Sequence, residues 1–186
     1  MEEGYLSHYF EGVASKILTP VEVDTTVSNQ HEFNGVRDLK LLFGSPVSKL
    51  YIDSRFMYFS PEGEPVIVDG KLTWYDSRAN HPTRTEWRLY YPTNDVTENM
   101  SADDTLYICK QIDDSALVII AKAGSSFEAQ LNWLFGFYDT DNKNFSVKQR
   151  SSLSQSELEY ASRIILNEIG IEVQDYILEY LEPMID

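Results

Sequence analysis

The chain has 186 residues, 42% of them hydrophobic and 13% aromatic, and a net charge of −15. That is length for one domain, or one domain with an appendage, and for a core of its own. No stretch is apolar enough to cross a bilayer, the acidic start MEEGYLSHYF does not read as a signal peptide, and a single cysteine, Cys109, excludes an intrachain disulfide and a thiolate zinc site. A soluble protein of a reducing compartment is the expectation.

In chain order, residues 5–18 space Tyr5, Leu6, Tyr9, Phe10, Val13 and Ile17 at roughly helical intervals and predict a first helix. A polar, turn-rich stretch follows, with one short strand expected around Val21–Val23. VRDLKLLFG reads as one or two helical turns stopped by Gly44. From Ser48 the pattern turns to β: KLYIDSRFMYF alternates, and Asp69-Gly70 predicts a hairpin turn inside GEPVIVDGKLTWYD. TEWRLYYP is a further strand. TLYICKQIDDSALVIIAKA predicts a hairpin around Asp113-Asp114, with a buried second arm. SSFEAQLNWLFGF is a helix capped by Ser125 or Ser126. About six strands with two or three peripheral helices imply a small barrel or sandwich of α+β type.

After about Asp139 the chain becomes polar and linker-like. Ser154 to Glu157 reads as a capping box opening a helix that ends at Gly170. Val173, Tyr176, Ile177, Tyr180 and Leu181 then line one face of an amphipathic helix. The expected division is a domain over 1–140 and a linker with a helical connector over 141–186.

Charge is segregated. Residues 91–141 carry nine acids against Lys110 and Lys122, and residues 151–186 carry eight acids against Arg163. Residues 71–90 instead carry Lys71, Arg78, Arg84 and Arg88 against Asp76 and Glu86, and NKNFSVKQR (142–150) is +3. The segment TWYDSRANHPTRTEWRLYY therefore lies on a positive island. As an exposed hairpin it turns Trp87, Leu89 and Tyr91 inward and Glu86, Arg88 and Tyr90 outward. Its loop holds the residue types that read base edges: Arg pairs with guanine, Asn with adenine, and a carboxylate such as Glu86 accepts from cytosine. Ser77, Thr83 and Thr85 suit phosphates.

Other chemistry is weaker. His8 belongs to the expected first helix, and His31 and His81 stand fifty residues apart in polar loops, with no metal-ligand spacing. Asp69-Gly70-Lys71, with Asp53 upstream, has the acid-then-acid-x-Lys form of a magnesium-dependent nuclease. The same residues are also what a tight hairpin turn looks like, and the turn is the preferred reading. No phosphate-binding glycine loop and no nucleophile elbow is present.

Three passages, SNQHEFNGVRDLKLLFG (28–44), LTWYDSRANHPTRTEWRLYYP (72–92) and ALVIIAKAGSSFEAQLNWLFG (116–136), resemble the N-terminal domain of EcoRII-type restriction endonucleases, over most of residues 8–138. The resemblance implies a DNA-binding pseudobarrel of the plant B-three type: an open β-barrel, mainly β with short flanking helices, here with a C-terminal helical appendage. Two arms would grip the major groove of double-stranded DNA. Ser28, Asn29, Gln30, His31, Glu32 and Asn34 would contact DNA from one arm, and Arg78, Asn80, His81, Thr83, Arg84, Glu86 and Arg88 from the other. The implied site is of the CCWGG kind and the implied setting is the bacterial cytoplasm. Catalysis and its magnesium would belong to a nuclease domain following residue 186, with no catalytic or metal-binding residue in this chain. A self-contained nuclease using Asp53, Asp69 and Lys71, and an acidic protein-interaction module, remain alternatives.

Overall fold

The computed structural model describes residues 4–24, 26, 31–139, 143–155 and 157–173. One mixed sheet of eight strands carries the fold, in the order β2-β5-β4-β3-β7-β6-β1-β8. The strands are β1 (Phe10–Ile17), β2 (Glu32–Phe33), β3 (Leu50–Phe59), β4 (Val66–Asp76), β5 (Trp87–Tyr90), β6 (Thr105–Gln111), β7 (Ala116–Ala121) and β8 (Ser146–Gln149). All neighbours pair antiparallel except β3 and β7, which run parallel. The sheet curls so that its two edges meet: Phe145 N–H, just before β8, donates to Gly35 O, just after β2, at 3.0 Å. The protein is thus the mainly β open barrel, with short helices outside it, that the sequence implies.

The curl gives two cores. Inside lie Phe56, Leu72, Trp74, Leu89, Leu106, Ile108 and Val118, sealed by Phe33 of β2, Leu39 of the 3-10 turn at 37–39 and Phe145 just before β8. Outside, Val13, Met57, Tyr107, Cys109, Leu117 and Ile119 are covered by helices α4 (Ser126–Phe135) and α6 (Tyr160–Glu168). Strands β6, β7 and β1 are therefore buried on both faces, whereas β3 and β4 keep an outward face in solvent. Burial pushes the Cys109 thiol well above its usual range, so this cysteine is an inert core residue.

Several elements differ from the sequence reading. The first helix is a single 3-10 turn, Leu6–His8, followed by β1. β1 is buried on both faces, so polar residues do not alternate with apolar ones along it as they do on a half-exposed strand, and its period cannot be told from that of a helix. The strand expected at Val21–Val23 is instead one helical turn, α1 (Pro20–Val23), started by Pro20 and held by Glu22 Oε1, which accepts from Thr19 N at 2.9 Å and Thr19 Oγ1 at 2.8 Å. Asp69-Gly70 is not a turn. Strand β4 runs straight through it, and the β3–β4 turn lies at residues 60–65. A Cβ on Gly70 would lie 3.1 Å from the Phe56 ring, a tight approach that suits a glycine within the strand.

Beyond residue 140, the expected linker contains β8, which pairs with β1 and completes the sheet. Leu153, Ile165, Leu166 and Ile169 join the outer core, so these residues are integral to the fold rather than appended to it. Ser154 closes the short helix α5 (Arg150–Leu153) instead of opening α6, which is capped by Glu159 N–H donating to Ser162 Oγ at 3.2 Å. The amphipathic helix expected after Val173 lies outside the described residues.

Other expectations hold. Residues 37–43 form a 3-10 turn and then α2 (Lys40–Phe43), stopped by Gly44 at φ +70°. The β6–β7 hairpin turns at Asp113-Asp114. Ser125 caps α4 by accepting from Glu128 N. A further short helix, α3 (Asp95–Asn99), follows β5. No helix among the described residues is long and apolar enough to cross a membrane.

The meeting of the sheet edges yields a prediction. Gly35 has φ +67°, and a Cβ on it would lie 1.8 Å from Lys143 O. Gly35→Ala is therefore expected to force the edges apart and to cost about 2 kcal/mol or more. In a domain of this size that lowers the thermal midpoint by roughly 4–8 °C. An unchanged midpoint in a circular-dichroism melt would contradict the closure.

Candidate nucleic-acid interface

The segment on the positive island is a ten-residue loop, 77–86, joining β4 to β5. Its root is the antiparallel pairing of Tyr75 with Arg88 and of Asp76 with Trp87. Alternation fixes the faces as expected. Trp74 and Leu89 are fully buried and Trp87 packs against the inner core, stacked on Trp74 at 5.1 Å, while Tyr75, Arg88 and Tyr90 face outward. Trp74 Nε1–H donates to Gly44 O at 3.0 Å, so the buried indole leaves no unmet donor.

The loop is exposed but braced. Asp76 Oδ1 accepts from Arg78 N at 2.9 Å and from Glu86 N at 2.7 Å, tying both ends of the loop to one carboxylate. Ser77 N donates to Glu86 O at 2.8 Å. At the tip, His81 Nδ1 accepts from Thr83 N and Arg84 N at 3.2 and 3.0 Å, which puts the ring proton on Nε2 and leaves that nitrogen as an outward donor. Removing the brace with Asp76→Ala is expected to accelerate amide hydrogen exchange at Arg78 and Glu86 by at least tenfold, with the β6–β7 amides unchanged. Equal rates in both variants would mean the loop is ordered by something else.

A chain of charges runs from the loop across β5 to β2. Arg78 Nε donates to Glu86 Oε2 at 2.9 Å, and Ser77 Oγ to the same oxygen at 3.1 Å. Arg88 Nη2 meets Glu86 Oε1 and its Nη1 meets Glu32 Oε2, both at 3.3 Å. Tyr75 OH donates to Glu32 Oε1 at 2.9 Å, and Lys49 Nζ stands 4.8 Å from the centre of the Tyr75 ring. Hydrogen bonds from Arg78 and Ser77 hold the Glu86 carboxyl below the usual range. Its contribution is thus complete above the ordinary glutamate pKa and is lost as pH falls through the depressed value. Burial alone would lower the Arg88 pKa, but the Glu32 and Glu86 carboxylates outweigh it and the value rises.

The expected contact residues therefore fall into groups. Arg78, Glu86, Arg88 and Glu32 are brought together as one network. Asn80, Thr83 and Arg84 project from the tip with no side-chain hydrogen bond or ion pair among the described residues, and His81 shapes that tip. Asn34 lies beside the loop root, since Phe33 pairs with Leu89. Its side chain is exposed, and its backbone is clamped by a buried ion pair: Glu22 Oε2 accepts from Asn34 N and from Lys16 Nζ, both at 2.7 Å, and Lys16 Nζ donates to Asn34 O at 3.0 Å. His31 sits at the other end of β5, its carbonyl accepting from Tyr91 N and its ring against Tyr91 and Thr93. A four-residue strand thus separates it from the loop, roughly 13 Å. Ser28, Asn29 and Gln30 lie outside the described residues. Tyr75, Asp76 and Lys49 were not singled out in the sequence. Tyr75 was legible, as the outward neighbour of a core Trp74, whereas nothing marked Lys49.

The nuclease-like residues Asp53, Asp69 and Lys71 share the outward face of the β3–β4 pair and line one pocket, where each is engaged in a cross-strand ion pair. Asp53 pairs with Lys71 across the strands at 3.6 Å, and Asp69 with Arg55 at 2.9 Å, as rungs of an exposed charged ladder. The Arg55 guanidinium holds the Asp69 carboxyl below its usual range. Among the described residues, no three His, Cys, Asp or Glu side chains are placed to hold a metal ion.

No family model matches the chain, and no curated protein matches it. Among solved structures, it is similar to the B3 domain of the UbaLAI restriction endonuclease, crystallised with cognate DNA, at 13% identity over 78% of this chain and 91% of that one, with a TM-score of 0.39.

Proposed function

We propose that this chain is a sequence-specific reader of double-stranded DNA, the recognition domain of a type II restriction endonuclease. The observation that carries the proposal is the 77–86 loop: a braced, exposed projection that offers Arg84, Asn80 and Thr83 at its tip and Arg78 and Arg88 at its root. A loop about as wide as a two-stranded ribbon fits the major groove, where Arg and Asn make the bidentate contacts that tell guanine and adenine apart. Glu32 and Asn34 flank the root and form the second contact line, with His31 further along β5 toward the backbone. An overall charge of −15 confines DNA to this positive face, since phosphate binding draws on Lys and Arg. The site read is of the CCWGG kind, the setting is the bacterial cytoplasm, and cleavage with its magnesium belongs to a fused nuclease domain beyond residue 186. A mobility-shift titration of CCWGG and scrambled duplexes at low salt tests this. Preferential binding of CCWGG supports the site, binding to both without preference leaves only a DNA-binding surface, and binding to neither refutes the proposal.

A further inference from the structure

Two of the three arm arginines, Arg78 and Arg88, are already partnered by carboxylates. Arg78 and Arg88 both meet Glu86, and Arg88 also meets Glu32, so the network spans the loop and the β2 strand as a single alternating chain. The backbone of the loop does not depend on it, because Asp76 holds both loop ends through main-chain N–H groups. Two acids on a surface meant for phosphates are a cost to affinity, since they repel any duplex approaching the arm.

We infer that Glu86 and Glu32 are specificity-determining residues that keep Arg78 and Arg88 self-paired against non-specific DNA. The inference rests on the DNA-reading function proposed above. On a random duplex, an arginine–phosphate contact replaces an arginine–carboxylate contact of the same kind and leaves a carboxylate facing phosphates. The exchange gains little. On the preferred sequence, guanine edges offer each arginine two aligned acceptors in place of one carboxylate, so the same exchange is favourable. Discrimination thus comes from penalising the wrong partner as well as from contacts to the right one.

Glu86→Gln in the full chain tests this, against Glu64→Gln, an equal charge change at an exposed position of the β3–β4 turn. Glu86→Gln is expected to tighten binding to random-sequence duplex by about 5–10-fold relative to Glu64→Gln, with a log–log salt slope steeper by about 1. The preferred duplex should gain less than the random one, so the preference shrinks, and Glu32→Gln should act in the same direction. On a heparin column Glu86→Gln should elute at higher salt than Glu64→Gln. Equal behaviour of Glu86→Gln and Glu64→Gln on random duplex and heparin overturns the inference. So does a loss confined to the preferred duplex, which would mark Glu86 as a base contact. If the wild type binds no duplex at all, the DNA reading has failed, and the heparin comparison still decides whether the arginines are held by Glu86.

Discussion

Glu22→Ala is expected to destabilise the domain by about 3–5 kcal/mol, the range for removing one partner of a buried ion pair. Lys16 and Glu22 are both fully buried, 2.7 Å apart. Without Glu22, the Lys16 ammonium keeps, among the described residues, Asn34 O and the face of the Phe145 ring, 5.7 Å from its centre. Thr19 N, Thr19 Oγ1 and Asn34 N lose their acceptor as well. The reverse change should cost less. In Lys16→Met the Glu22 carboxylate still accepts from all three of those donors, and the methionine fills most of the lysine's volume. The order of the two losses is the discriminating result, measured as midpoint shifts in urea at constant m. If Lys16→Met proves the more damaging, the carboxylate is not the hub of this cluster. Because the cluster clamps Asn34, whose neighbours are Phe33 of β2 and Gly35 at the closure, the damage should extend to β2 and the closure.

Arg84→Ala is expected to weaken binding to the preferred duplex by about 1–3 kcal/mol, roughly 5- to 150-fold, if the guanidinium reads a guanine edge. Arg84 is the arm arginine with no ion pair among the described residues, so its loss strands no carboxylate and the change in affinity reports the DNA contact itself. Arg88→Ala is a less clean probe. It leaves Glu32 and Glu86 without their shared cation, which adds repulsion of the duplex to the lost contact. Titrations against preferred and scrambled duplexes over a salt series separate the two roles of Arg84. A base contact costs affinity on the preferred sequence alone, whereas a phosphate contact costs it evenly and lowers the salt slope by about 1. Unchanged binding to both removes Arg84 from the interface.

What the sequence disclosed follows from how the barrel is buried. Strands β3, β4 and β5 keep one face in solvent, so their alternation shows, and the inward set of Trp74, Trp87, Leu89 and Tyr91 could be read directly. Strand β1 is covered on both sides and passed for a helix. Asp69-Gly70 misled because the glycine lies against the Phe56 ring across the sheet, a tertiary contact that no local rule contains. At the site, the arm and its arginines were visible as a local charge anomaly. The Glu32–Arg88 pair and the Asp76 brace were not, the first because its residues are 56 positions apart and the second because the contact is made to main-chain amides.

The position of β1 in the sheet bears on synthesis and folding. Val13, near the start of the domain's sequence, is paired on one side with Cys109 of β6 and on the other with Lys148 of β8. The parallel β3–β7 pair also spans a long stretch of chain. A nascent chain therefore carries a strand that the finished fold buries on both faces, with no partner until most of the domain has emerged, and it cannot close the sheet until β8 is free of the ribosome. Such non-local pairing makes for slow folding and prolonged exposure of strand edges. Shortened products ending before residue 146 would retain that exposed strand, and they are the form of this protein most prone to aggregate.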